Sequence, residues 1–365
     1  MWSLIQGKRL KLIVTFFAGM LQLPVLAESA PPPYWTRLML AGKHAKQGNW
    51  YEQAVNVAEK FGEEDPRLHL ALHAAAVESA LHGGRNRQAE MFFKRDIALL
   101  ENIGPDFPDL VSDFFELAQI YEAERRYLES ERLLVRALAI RRKWEDVQSD
   151  DPFNAAILGE LCIVYNDLGQ TSKSSEMHAQ MVEDCKQLRT SQSRATCFQT
   201  LSNLFHNYVC NHKELPKQQK RRFLQMALEF SKLALIDAKH AVDIGNELRK
   251  AGAICWALGD LKQSEQFFRE GMDLGLDQLE TIPDVASWNL IAFDDFLFAQ
   301  HREREVEQLQ ARYLQAVAKT FGNASRAYGN ALGCCADIWW THKFFDRGQQ
   351  LRLQSNAVLD RLGRR

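Results

Sequence analysis

No G-x-S-x-G, P-loop, H-E-x-x-H or C-x-x-C occurs in this 365-residue sequence. Those patterns expose a nucleophile, cradle phosphates, hold zinc on one helix face, or exchange disulfides. Without them the sequence contains no assembled catalytic centre. A non-enzymatic chain with no cofactor and no metal is expected. A surplus of either charge is missing too. Against 45 Lys and Arg stand 47 Asp and Glu, so no basic surface for nucleic acid is expected. Alternating apolar and polar runs are nearly absent, which argues against strands.

Long apolar runs are also scarce. The one at the amino end, Leu12 to Leu23, is shorter than the ~20 residues a membrane-spanning helix needs. It follows Lys8, Arg9 and Lys11 and precedes Val25-Leu26-Ala27. A basic start, an apolar stretch and small residues in that order read as a secretory signal peptide over residues 1–27. Residues 28–34 would then be a stiff, Pro-rich leader. The protein is expected to be exported, periplasmic or secreted, and to meet a membrane only if this segment is not cut. An uncut segment would suit the alternative reading, an envelope-associated, self-assembling scaffold.

Seven cysteines are an odd number for an exported chain. Cys162 and Cys255 fall on apolar helical positions. Cys185 and Cys197 flank a polar turn between two helical patterns and form the candidate disulfide. Their Cα atoms would have to lie within ~7 Å.

What the sequence does hold is a helical hairpin written repeatedly. Phe114, Leu117, Ala118 and Tyr121 occupy i, i+3, i+4 and i+7, one face of a helix. Tyr127, Ser130, Leu134 and Ala137 follow after a short polar turn. Leu158, Leu161, Cys162 and Tyr165 restate the first helix, Gly169 the turn, and Ser174, His178 and Met181 the second helix. A period of this length means stacked helix pairs, an all-α solenoid. Further copies start near Met39, Leu68, Ser193, Leu248, Asp284 and Tyr328. The segment Asn211–Arg222 reads as an insertion that lengthens the turn of the fifth pair. Asp294-Asp295 and Glu303/Glu305 read as solvated acidic clusters. His69 and His73 lie one helical turn apart; two ligands without a carboxylate or third His do not make a metal site, so they read as ordinary repeat residues.

These positions resemble the tetratricopeptide repeat, with a large residue at the fourth position, small ones at the eighth and twentieth, and an aromatic at the eleventh. The Gly-Pro-Asp-x-Pro-Asp element from Gly104 to Asp109 is similar to the longer variant found in kinesin light chains. The resemblance covers most of residues 35–362. It implies a right-handed superhelix of about seven or eight antiparallel hairpins whose first helices line a concave groove for a protein or peptide. Carried over by position, the groove would present Phe115, Gln119 and Glu122, then Asn166, then Gln199, Asn203 and His206, then Arg249 and Trp256, and finally Asp337 and Trp340. Arg249 could hold a carboxylate by two parallel hydrogen bonds, amides could pair with an extended backbone, and the two Trp could serve as anchors. The Lys/Asn set with which some members hold C-terminal carboxylates is not reproduced.

Overall fold

The computed structural model describes residues 34–44, 48–81, 85–144 and 151–363. The expected signal segment and most of the leader lie outside them. The described residues form sixteen α-helices and no strand. The chain divides into two compact units, residues 1–187 and 188–365.

The first unit holds α1 (Tyr34–His44), α2 (Trp50–Ala58), α3 (Pro66–Leu81), α4 (Asn86–Ile103), α5 (Leu110–Ala123), α6 (Tyr127–Trp144), α7 (Phe153–Asp167) and α8 (Thr171–Gln187). The second holds α9 (Ser191–Asn211), α10 (Lys217–Asp237), α11 (Ala241–Leu258), α12 (Leu261–Asp277), α13 (Pro283–Ala299), α14 (Glu303–Phe321), α15 (Arg326–Thr341) and α16 (Phe345–Gly363). Within each unit consecutive helices pair as four hairpins, and each hairpin packs on the next. First helices also touch first helices, α3 with α5, α5 with α7, α11 with α13 and α13 with α15. The residues that carried the repeat are its core: Phe114, Leu117, Ala118, Tyr121, Leu158, Leu161, Cys162 and Tyr165 are all buried.

The turns repeat as faithfully as the helices. Arg125, Gly169, Gly259, His301 and Lys343 each end a first helix in the left-handed region, with φ of 62°, 74°, 86°, 56° and 69°. In each case the next N–H donates back to the helix, Arg126 to Tyr121, Gln170 to Tyr165, Asp260 to Cys255, Arg302 to Leu297 and Phe344 to Trp339, at 2.8–3.0 Å. This is the Schellman cap, which satisfies carbonyls the helix end would leave unpaired. Glycine adopts that φ freely; Arg125, His301 and Lys343 do so at a cost.

Second helices are tied to one another by charge. Arg95 pairs with Glu59 at 2.6 Å, Arg126 with Glu90 at 3.2 Å, Lys173 with Glu131 at 3.6 Å, Arg302 with Glu265 at 2.7 Å and Arg312 with Asp273 at 2.7 Å. In these five the base lies in the later repeat and the acid in the earlier one, whereas Arg269 reaches forward to Glu305 at 3.6 Å. Solvent-accessible pairs of this kind stabilise by only ~0–1 kcal/mol each.

Two expectations change. The segment Asn211–Arg222 is no inserted loop: α9 ends at Asn211 and α10 begins at Lys217. Rings lock that end, with Phe205 stacked on Phe223 at 5.7 Å and Tyr208 edge-on to Phe223 at 5.1 Å. The basic run is therefore the first turns of α10. Asp294 is not a solvated acid either, being fully buried in α13 while Asp295 pairs with His342 at 2.8 Å.

Candidate functional site

The expected groove residues separate into three groups. Phe115 is 1% exposed and packs edge-on against Phe153 with ring centroids 5.1 Å apart. Glu122 and Asn166 are buried as well, and Gln119 donates to Glu160 at 2.8 Å. Phe115, Glu122 and Asn166 are thus enclosed, while Gln119 stays half-buried. Both Phe115 and Gln119 of α5 meet residues of the next first helix, Phe153 and Glu160 of α7.

The last hairpin forms the second group. Asp337 and Trp340 are exposed on α15. Arg352 of α16 forms an ion pair with Asp337 and lies 5.6 Å from the centre of the Trp340 ring. The Trp340 indole N–H donates to the Phe345 carbonyl at 3.3 Å, and its ring fills the space a Cβ on Gly348 would need. Trp340 thus leans on its own hairpin while 41% of it stays exposed. Asp337 and Arg352, with Asp295, Asn330 and Cys334, line an open cavity of about 540 Å³.

The third group stands apart. Gln199, Asn203 and His206 follow one face of α9, and Arg249 and Trp256 lie on one face of α11. All five are half-buried. Trp256 meets Phe296 edge-on at 5.7 Å, so its ring is partly claimed by the core. The electrostatics centre on α11. Glu247 is buried, accepts from Ser231 Oγ at 2.7 Å and forms an ion pair with Lys250. Burial lowers the Lys250 ammonium, against the pull of Glu247. Burial lowers the affinity of Arg249 for its proton, against the pull of the same Glu247, and its Nε is enclosed with no hydrogen-bond partner among the described residues. His206 is pushed down to about 4, first by burial and then by Lys250 and Arg249. At neutral pH this face holds two cations, one carboxylate and a neutral imidazole. The arrangement suits an anion that can reach the Arg249 fork.

One constellation was invisible in sequence. His69 and His73 on α3 are joined by Asp96 from α4 and by Asp109, Asp113 and Glu116 around the start of α5. His69 Nδ1 lies 2.8 Å from Asp96 Oδ1, and His73 Nδ1 lies 2.7 Å from Asp113 Oδ1. Burial opposes a proton on His69, but Asp109 and Asp96 outweigh it and push that histidine up to about 10. Burial holds Asp96 and Glu116 each up at about 7. His73 and Asp113 are 40 residues apart, on the first helices of successive hairpins.

Five of the seven cysteines, Cys162, Cys210, Cys255, Cys334 and Cys335, are free thiols. The remaining two, Cys185 and Cys197, are both buried.

No known family profile matches the chain, and no curated protein matches it. Solved structures do. A kinesin light chain of Podospora anserina with nearly identical TPR-like repeats is 21% identical over 54% of this chain and 89% of its own, with a TM-score of 0.38. The apo quorum sensor NprR of B. thuringiensis is 14% identical over 89% of this chain and 92% of its own, with a TM-score of 0.42. A human IFIT1 dimer with PPP-AAAA is 13% identical over 86% of this chain and 70% of its own, with a TM-score of 0.33. The chain is thus similar to kinesin-light-chain-type and other TPR-like helical repeats. At these levels of similarity no partner or activity passes from those proteins to this one.

Proposed function

We propose that this chain is a non-enzymatic, protein-binding helical repeat that holds an acidic peptide or protein segment along α9 and α11, anchored at Arg249. The observation that carries the reading is the half-buried Arg249 with its unpartnered Nε, beside a His206 kept neutral. A guanidinium already partly shielded from water gains more from a carboxylate than an exposed one does, because charge-assisted bonds form where the alternative is an unmet donor. Gln199 and Asn203 supply both donors and acceptors for an extended backbone alongside it. Export through residues 1–27 and a Cys185–Cys197 disulfide belong to the same proposal; the two buried cysteines outside the free set support the disulfide.

A fluorescent library of acidic peptides, each beside its amidated counterpart, tests the anchor. Acidic members should bind, the amidated ones should not, and R249A should abolish the difference at a cost of ~2 kcal/mol or more. Binding that is indifferent to R249A and to W256A would overturn the proposal. The rival reading is a self-assembling scaffold, and concentration-dependent growth in size without any peptide preference would favour it.

A further inference from the structure

In the first unit three successive helices converge on two imidazoles and four carboxyl groups. The donor atoms of His69, Asp96 and Asp113 all lie within 4.8 Å of one another. Both aspartates are 0% exposed. Each spends one oxygen on a histidine, and the other, Asp96 Oδ2 and Asp113 Oδ2, is enclosed with no hydrogen-bond partner among the described residues. Glu116 is buried beside them. Asp109 Oδ2 faces His69 Nε2 from the other side at 3.4 Å. Buried carboxylate oxygens left unpaired are costly, and native structures ordinarily give such groups a partner.

We propose that His69, Asp96 and Asp113 bind a divalent first-row transition cation, for which zinc is the simplest probe, and that the ion staples α3, α4 and α5 together. One imidazole nitrogen with two carboxylates favours such an ion over magnesium or calcium, which prefer all-oxygen shells. The outer partners are already in place. His69 Nε2 faces Asp109 Oδ2 at 3.4 Å, so a proton held there turns the Nδ1 lone pair toward the two carboxylates. His73 holds Asp113 Oδ1 at 2.7 Å and leaves Oδ2 for the ion. Zinc bonds of ~2.0–2.2 Å set neighbouring donors roughly 3.3 Å apart, so the cluster closes by small side-chain shifts. Binding displaces the proton from His69 Nδ1 to solvent, one proton for each ion bound at that nitrogen. The His69 side chain is 19% exposed, which gives the ion a way in.

The test uses tag-free full-length protein, stripped with chelator and returned to zinc chloride. One zinc should be retained per chain, and the unfolding temperature should rise with zinc concentration. D96N and D113N keep the side-chain shape and should hold their helical circular dichroism while losing more than ~100-fold in affinity, beyond the usual effect of an outer partner; H69Q should do the same. Cobalt in place of zinc should absorb without a thiolate charge-transfer band, which separates this site from the cysteines. Failure to retain zinc, retention undiminished in D96N, D113N and H69Q, or a cobalt–thiolate band would each overturn the proposal. Should every variant fail to fold, the cobalt spectrum and zinc content of the unmutated protein still decide. None of these readouts involves Arg249, so this site and the peptide-binding reading stand or fall separately.

Discussion

Gln310 bridges two buried side chains: its amide Nε2 donates to Asp294 Oδ2 at 2.7 Å while its Oε1 accepts from the Trp339 indole at 2.8 Å. The bridge connects α13, α14 and α15 through the core of the second unit. Asp294 is its weak point. Burial pushes that carboxyl well above its usual range, and the Gln310 bond only partly opposes the shift.

A raised carboxyl favours the fold while protonated. Its contribution is complete below the unfolded value near 3.9 and is lost as pH rises through the folded value. D294N removes the charge and keeps an oxygen for Gln310. At pH 8 the variant should therefore unfold at a higher temperature than the parent, by a few degrees or ~1 kcal/mol, and the gain should vanish near pH 3.5. Calorimetry at both pH values checks this; equal gains at both would contradict it.

The five Schellman turns predict opposite results from the same chemistry. Lys343 sits at φ 69° and Gly259 at φ 86°. Lys343→Gly should stabilise by ~0.5–1 kcal/mol by relieving the left-handed strain, and Gly259→Ala should destabilise by ~1 kcal/mol. Urea unfolding of both variants is the measurement. Equal signs would mean that these caps do not govern the turns.

His206 adds a pH signature to the second unit. Its folded value of about 4 lies below the ordinary 6.5, so the unfolded chain takes up that proton first. The stability it contributes is whole above pH 6.5 and drains away as pH falls toward 4. H206Q should lose ~1–3 kcal/mol less than the parent between pH 7 and 4.5, measured by denaturant unfolding. R249M should raise the His206 midpoint followed by NMR, since Arg249 is one cause of its depression. Parallel unfolding curves would contradict the burial of this ring.

Thiol titration in denaturant without reductant should find five reactive groups among the seven cysteines. C185S should then raise the count by one, because it frees Cys197. Seven thiols in the parent would remove the disulfide from the account.

The repeat was legible because its evidence is local. Phe114, Leu117, Ala118 and Tyr121 announce a buried stripe within two turns, and Leu158 to Tyr165 restate it in the same phase. The site was not legible because its evidence is distant. Whether Phe115 faces a guest or Phe153 depends on how closely successive first helices approach, which spacing along one helix does not contain. Asp294 looked like a surface acid beside Asp295, yet its partners Gln310 and Asp295's His342 come from other helices. His69 and His73 looked bare because their carboxylates arrive 27 and 40 residues later. In a repeat protein, chemistry is best sought one repeat length away.

The most direct test of the peptide-binding account follows the Arg249 Nε–H resonance, identified by its loss in R249K, during titration with an acidic peptide and then with its amidated counterpart. The account predicts a saturable shift with the acidic peptide alone, because an unpartnered Nε gains a carboxylate. An Arg249 resonance that stays still while the acidic peptide binds elsewhere would contradict it.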